Sequence, residues 1–386
     1  MKPLWTQSFI TLTLSMFFLF TGFYLLVPTM PLFIKQLGGS ESQVGVVMGL
    51  FTISAVVIRP FVGGLLDRMG RRQFVLGGLI LFGLTMYSYS WVSSMFLLLA
   101  LRLVHGVSWA MATTSIGTAV TDTIPETRRS EGISWFGMST TLAMAVGPLI
   151  GVWMLQKQSF HGLFTLSTVL ILIALVGAFL TKMPFQARPK AGRMVLFDKA
   201  ILPVTSSIFF LAFAYGGVMT FLPLFAASIK VNSGTFFLVY AIALTIVRFI
   251  SGRLADRFGE AAVIVPGFLL ALAALTTLAS SHGLVGVVAA AILLGFGFGS
   301  AQPALQAVTL RLVKPDQKGM ANASFQTAFD LGIGIGTILL GLISQGFGYP
   351  TLFVACAVAG FISFIIYGAF SRQEKKAHRT GATLES

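Results

Sequence analysis

Carboxylates are scarce in this chain: 12 Asp and Glu among 386 residues. Eleven of them fall at the ends of apolar runs, in connections or in the C-terminal tail. Asp330 alone stands inside a run, in SFQTAFDLGIGIG. An acidic side chain at the centre of a bilayer costs about 2.5–3.5 kcal/mol on insertion scales, so it must be protonated, paired or facing water. Burial favours the neutral acid and a nearby cation favours the carboxylate. A group balanced between the two can take a proton on one side of a membrane and release it on the other. The plainer reading is a fixed ion pair.

A second group of polar residues lies in RLVHGVSWAMATT. Arg102, His105, Trp109 and Thr113 are spaced 3, 4 and 4 apart, which puts them on one helical stripe. Arg102 could hold an anionic group or steer a proton. His105 belongs to the one side-chain type that ordinarily titrates near physiological pH, although an isolated intramembrane histidine is often only a hydrogen-bonded structural group.

The elements that must position these residues follow from composition. The chain is 56% hydrophobic and 10% charged, where a soluble domain carries about 25% charge. Apolar runs near twenty residues recur along its length, which makes it a polytopic membrane protein. Backbone in hydrocarbon must satisfy its own hydrogen bonds, leaving helices or closed barrels. The runs are continuous rather than alternating, so the fold class is all-α. Twelve spans are expected, near 8–28, 44–66, 73–92, 95–119, 131–154, 162–181, 202–228, 234–254, 261–281, 284–309, 319–343 and 349–371. The longest connection carries two prolines and several basic residues. It divides the chain into a six-helix bundle over 1–182, a linker at 183–200, a second six-helix bundle over 201–371 and a polar tail at 372–386, the tail expected to be disordered.

Lys and Arg set the orientation. With the N-terminus inside, Lys35, Lys157 and Lys230 are external, Arg59, Arg102 and Arg248 fall within spans, and 20 of the 26 basic residues face the cytoplasm. The expectation is a multi-pass protein of the cell membrane with both termini cytoplasmic. The net charge of +14 then belongs beside anionic lipid headgroups, not on nucleic acid. One cysteine, Cys356, excludes an intrachain disulfide, and four scattered histidines form no metal cluster. No cleavable leader is evident. GFGFG (295–299) and LGIGIG (331–336) lie inside apolar spans and follow no strand, so they are helix-packing glycines rather than nucleotide loops. Gly147-Pro148 is expected to kink span 5. No GxxxxGK[ST] occurs. No catalytic residue, metal or cofactor is expected, and the chain does not read as an enzyme.

The chain also repeats itself. GGLLDRMGRR (63–72) returns as GRLADRFGEA (252–261) at an offset of 189. Arg59, Gly63, Leu65, Asp67, Arg68 and Gly70 meet Arg248, Gly252, Leu254, Asp256, Arg257 and Gly259. Gly106 meets Gly295, Trp109 meets Phe298 and Gly147 meets Gly336. MPLF (30–33) meets LPLF (222–225) at 192, so a three-residue gap in the first external loop reconciles the two offsets. Parallel repeats of this kind mark secondary transporters with a midplane substrate site.

At GGLLDRMGRR the sequence resembles the major facilitator superfamily. Gly63, Asp67, Arg68, Gly70, Arg71 and Arg72 match that family's motif between spans 2 and 3. RLVHGVSWA resembles its span-4 motif at Arg102, Gly106 and Ala110, with His105 where Gln is frequent. GPLIG resembles its span-5 antiporter signature at Gly147, Pro148 and Gly151, with Ala143 and Val152 departing from it. The resemblance covers all twelve spans. It implies two pseudo-symmetric bundles that open alternately to each side around a central site. It also implies that Asp67 clamps span 2 to span 11. The second copy keeps Asp256 and Arg257 but ends in Glu260-Ala261, which implies a weaker latch. Spans 2 and 11 pack together in that fold, making Arg59–Asp330 a candidate pair. Gly70 itself suits a tight turn.

The expected activity is proton-coupled export of a small amphipathic drug or metabolite. Asp330, Arg59, Arg102 and His105 are the expected proton-coupling residues. Tyr24, Arg102, Trp109, Thr113, Phe213, Tyr215, Phe298, Gln302 and Gln326 are the expected cavity lining. A proton symporter that imports a solute is the alternative, and a membrane sensor or scaffold the remoter one. The partners are substrate, protons and lipid, and the protein is expected to act as a monomer.

Overall fold

The computed structural model describes residues 3–125, 128–157, 159–183, 198–314 and 317–380, without the side chains at 67, 68, 129, 130, 134 and 375–380. Among the described residues every regular element is helical, as the continuous apolar runs require. Two compact units result, Met1–Gly192 and Arg193–Ser386. Their boundary falls inside the expected linker, whose residues 184–197 lie outside the described ones.

The first unit contains α1 (Gln7–Tyr24), a short α2 (Met30–Gln36), α3 (Glu41–Met69), α4 (Arg71–Ser88), α5 (Met95–Thr123), α6 (Arg129–Lys157) and α7 (Phe160–Leu180). The second contains α8 (Leu202–Ser228), α9 (Ser233–Phe258), α10 (Ala261–Ala279), α11 (Leu284–Arg311) and α12 (Lys318–Thr380). Eleven of these helices are long and apolar enough to cross a membrane, among the described residues. The 63 residues of α12 are two arms that meet at Gly348, where φ is 80°, so the expected twelve spans are present.

Local chemistry sets the helix starts. Ser40 accepts from the Gln43 amide while Gln43 accepts from the Ser40 amide, a capping box at α3. Ser94, Ser159 and Asn232 cap α5, α7 and α9. The repeated turns are built alike. Gly70 ends α3 at φ 90°, ψ 162° and Gly259 ends α9 at φ 85°, ψ 156°. A side chain at that positive φ would be strained, which explains why both copies place glycine there.

The core of each unit is closed by missing side chains. A Cβ on Gly106 would strike Phe51 and Ser54 of α3. A Cβ on Gly295 would strike Tyr240 and Ala243 of α9. Each glycine therefore lets α5 or α11 cross its partner helix at backbone contact. Gly147 and Gly151 do the same for α6 against Tyr24 and Leu25 at the end of α1, and Gly336 for α12 against Phe213 of α8. The antiporter-like GPLIG is thus a packing face in this structure, and α6 runs on through Pro148.

One expectation fails. The segment from Ser371 is not a disordered tail as far as Thr380: α12 continues through it. Glu374 in this extension accepts from Arg311 Nη1 at 2.7 Å, which gives the extra turns a tertiary anchor.

Candidate functional site

The stripe on α5 is buried along its whole length. Arg102 is 1% exposed, His105 0%, Trp109 7% and Thr113 9%. Thr113 spends its hydroxyl on the Trp109 carbonyl at 2.7 Å. The close crossing at Gly106 brings α3 to Arg102. The guanidinium donates from Nε to the Val47 carbonyl at 3.1 Å, from Nη2 to Met48 Sδ at 3.0 Å and from Nη1 to His105 Nδ1 at 3.3 Å. Its Cζ lies 4.9 Å from the centre of the Phe51 ring, a cation–π contact that is strongest where water is excluded. No carboxylate among the described residues pairs with it. Arg102 is therefore a cation held by neutral acceptors and a ring, and in this arrangement it is sequestered rather than offered to a ligand.

His105 joins the cage to Tyr89, whose hydroxyl lies 2.9 Å from Nδ1. Phe23, Phe51 and Phe82 surround the imidazole at 6.1, 4.7 and 4.6 Å between ring centres. Trp109 packs on Phe23 at 4.3 Å. Tyr89, Met48, Phe23, Phe51 and Phe82 were not legible as site residues, because aromatic residues and methionine inside apolar runs carry no signal of which face turns inward.

The second unit repeats the ring pair without a counterpart of Arg102 or His105. Tyr215 stacks on Phe298 at 4.0 Å and 9°. By the two repeat offsets these are the counterparts of Phe23 and Trp109. Phe329 stands 6.2 Å from both rings. Arg248 Nη2 donates to Gln302 Oε1 at 3.2 Å. Ala291 and Leu294, both buried, occupy the places of Arg102 and His105. Phe213 is not part of this stack: it faces a groove of about 310 Å³ with Phe210, Ala355 and Val358. Tyr24 closes α1 beside Phe20 and Phe23. Gln326 is exposed on α12. Arg59 and Asp330 are half-buried, neither is an isolated charge, and they lie in different units.

The repeated turns carry ion pairs of opposite sense. Arg71 Nε donates to Asp122 Oδ2 at 2.9 Å, with side-chain exposures of 2% and 15%. Arg71 Nη1 also reaches the Leu66 carbonyl at 3.4 Å. At the same positions of the repeat, Glu260 Oε1 accepts from Arg311 Nε at 3.0 Å, and Arg311 further engages Glu374. Losing the terminal arginines in the second copy reverses the polarity of this pair rather than removing it. Arg72 donates to the Phe179 carbonyl at 3.2 Å, and Arg257 lies over the Phe258 ring at 5.1 Å. The side chains of Asp67 and Arg68 lie outside the described residues, and Asp256 and the small residues Gly63 and Gly252 sit at the exposed or half-buried helix ends.

Two bundles of membrane-length helices, repeated in sequence and in local geometry, define a polytopic membrane transporter. The chain belongs to the Major Facilitator Superfamily, whose profile matches residues 12–243 and 204–385. It is 26% identical to the staphylopine export protein of Staphylococcus aureus, with 95% of this chain and 96% of that one aligned. An uncharacterized MFS-type transporter of Methanocaldococcus jannaschii is 22% identical over 94% of this chain and 96% of its own. Among solved structures, a bacterial homologue of the human lysosomal transporter Spinster superposes with a TM-score of 0.80 at 17% identity, covering 96% of this chain and 98% of that one. The nucleoside transporter NupG gives 0.71 at 15% identity, covering 96% and 100%. The chain is a transporter and not an enzyme.

Proposed function

We propose that this transporter exports a small amphipathic drug or metabolite in exchange for protons, acting as a monomer in the cell membrane with both termini in the cytoplasm. The observation that carries the coupling is the buried cation of the first unit. Arg102 sits at 1% exposure with no carboxylate partner among the described residues, while the second unit has alanine there. An uncompensated buried charge is costly, and a coupling role gives the reason to keep it. Asp330, inside the first arm of α12, is the proton carrier of this reading, with Arg59, Arg102 and His105 tuning it. The aromatic pairs Phe23–Trp109 and Tyr215–Phe298 suit an amphipathic substrate. Export rather than import is favoured by the full-length relationship to a protein named for export.

Inside-out vesicles with an acidic lumen test this directly. A panel of amphipathic dyes and small acidic metabolites is offered outside. An exporter accumulates its substrate in the lumen as protons leave, and Asp330→Asn abolishes the accumulation while allowing exchange of substrate for substrate. Accumulation only under the opposite gradient identifies an importer and overturns the reading.

A further inference from the structure

Two donors meet at one nitrogen of His105. Tyr89 Oη lies 2.9 Å and Arg102 Nη1 3.3 Å from Nδ1. A guanidinium has only donors, so Nδ1 is the acceptor of both and the ring proton is on Nε2. Nε2 is buried with no hydrogen-bond partner among the described residues. The rings of Phe82 and Phe51 stand at 74° and 61° to the imidazole. The groups in contact with His105 are Arg102 on its own helix, Tyr89 beyond α4, and the neutral rings of α1, α3 and α4.

We propose that Tyr89 is a positioning residue for the proton reaction: it holds His105 in the Nε2–H tautomer, so that Nδ1 is shared with Arg102 or takes a proton, but not both. The proton adds to the Nδ1 lone pair, Nε2–H stays, and the ring becomes a cation. Two cations then face each other at hydrogen-bond distance inside an apolar cage, where their repulsion is little screened. Arg102 must leave Val47, Met48 and Phe51, and the sequestered guanidinium becomes free for an anionic group. Tyr89 also forms part of the wall of a cavity of about 710 Å³ with Gln36, Ser90, His161 and several Leu and Phe side chains, so the hydroxyl's residue borders both that cavity and the buried pair. This deepens the proton-coupled reading and rests on it.

The test uses full-length protein in lipid nanodiscs with Trp109 as the only tryptophan, the other four replaced by Phe. Its fluorescence is titrated from about pH 9 down to the acid limit at which the protein stays folded, since burial and the facing guanidinium both oppose a charge on the ring; no transition in that range overturns the inference. The expected result is one single-proton transition. His105→Gln removes it. Tyr89→Phe, which keeps the ring, moves its midpoint by about half to one pH unit, the worth of one hydrogen bond. Tyr89→Phe added to His105→Gln changes nothing more. Nitrogen NMR of ¹⁵N-histidine-labelled protein reads the tautomer in the unsubstituted chain, so a misfolded variant does not remove the test. A proton on Nδ1 at alkaline pH, a transition that survives His105→Gln, or an unmoved midpoint in Tyr89→Phe overturns the inference. These readouts need neither gradient nor substrate: absent proton-driven flux in vesicles would sink the coupling reading by itself, whereas flux with a His105-independent transition would sink this one.

Discussion

At matching positions of its two units the chain puts an arginine and a histidine in one core and an alanine and a leucine in the other. The frames around these residues are alike. Gly106 and Gly295 make the same helix crossing, Gly70 and Gly259 the same turn, and Phe23–Trp109 and Tyr215–Phe298 the same ring contact. The Arg102–His105 pair has no counterpart, and the space follows it. Phe236 and Phe237, buried to 0% and 1% exposure, stand at the repeat positions of Val47 and Met48. Apolar bulk occupies one core where an ion cage occupies the other. A duplicated frame thus tolerates divergence in the side chains it encloses, provided each core remains filled.

The sharpest way to break this comparison is to move the charge. Ala291→Arg places a cation where phenylalanines have taken the room of the cage. The expected loss is about 3 kcal/mol or more, read as failure to fold or a large drop in Tm in detergent. A well-folded Ala291→Arg protein would mean that the second core can also house a cation at the place of Arg102.

The ion pairs at the turns come next. Asp122→Asn removes the carboxylate that the buried Arg71 Nε donates to and should cost about 3 kcal/mol. The double change Arg71→Glu with Asp122→Arg copies the polarity of Glu260–Arg311 and should recover part of that loss in a thermal-shift measurement. No recovery would show that the sense of the pair is fixed by its surroundings.

Arg102→Met separates stability from coupling. Removing a buried ion in favour of a flexible apolar side chain is expected to leave Tm unchanged or raise it, while gradient-driven accumulation in vesicles is lost. Lost stability with full coupling would reduce Arg102 to a structural residue.

The smallest effect is expected at Glu260→Gln. That pair is more exposed than Arg71–Asp122, at 28% and 43% of the side chains, and surface pairs contribute about 0–1 kcal/mol. A loss as large as that of Asp122→Asn would erase the distinction between the two turns.

The duplication was legible because a charged phrase such as GGLLDRMGRR stands out against apolar spans. Asp330, Arg102 and His105 stood out for the same reason: in a greasy chain, ionisable residues are few. Tyr89 and Phe82 did not, since an aromatic residue satisfies a lipid-facing, a packing and a site role equally well. Phe213 and Tyr215 could not be told apart in the sequence. They are two residues apart, and such residues on a helix point to nearly opposite faces, so the two could not both join the stack. The tail misled because polar composition argues for disorder only where no partner waits, and Arg311 supplies one for Glu374.

Composition, repeat and motif by themselves determined a helical transporter of two six-span units and the short roster of charges inside it. Hydrophobic length and helical period are local properties, so a sequence states them openly. The tertiary structure alone decided that Arg102 is caged by Val47, Met48 and Phe51, that Tyr89 and Arg102 share one nitrogen of His105, and that the second turn keeps its ion pair with the sign reversed. Those facts depend on which helices cross and how closely. That is set by small residues and packing between segments 16 to 55 positions apart, distances over which no local pattern carries the information.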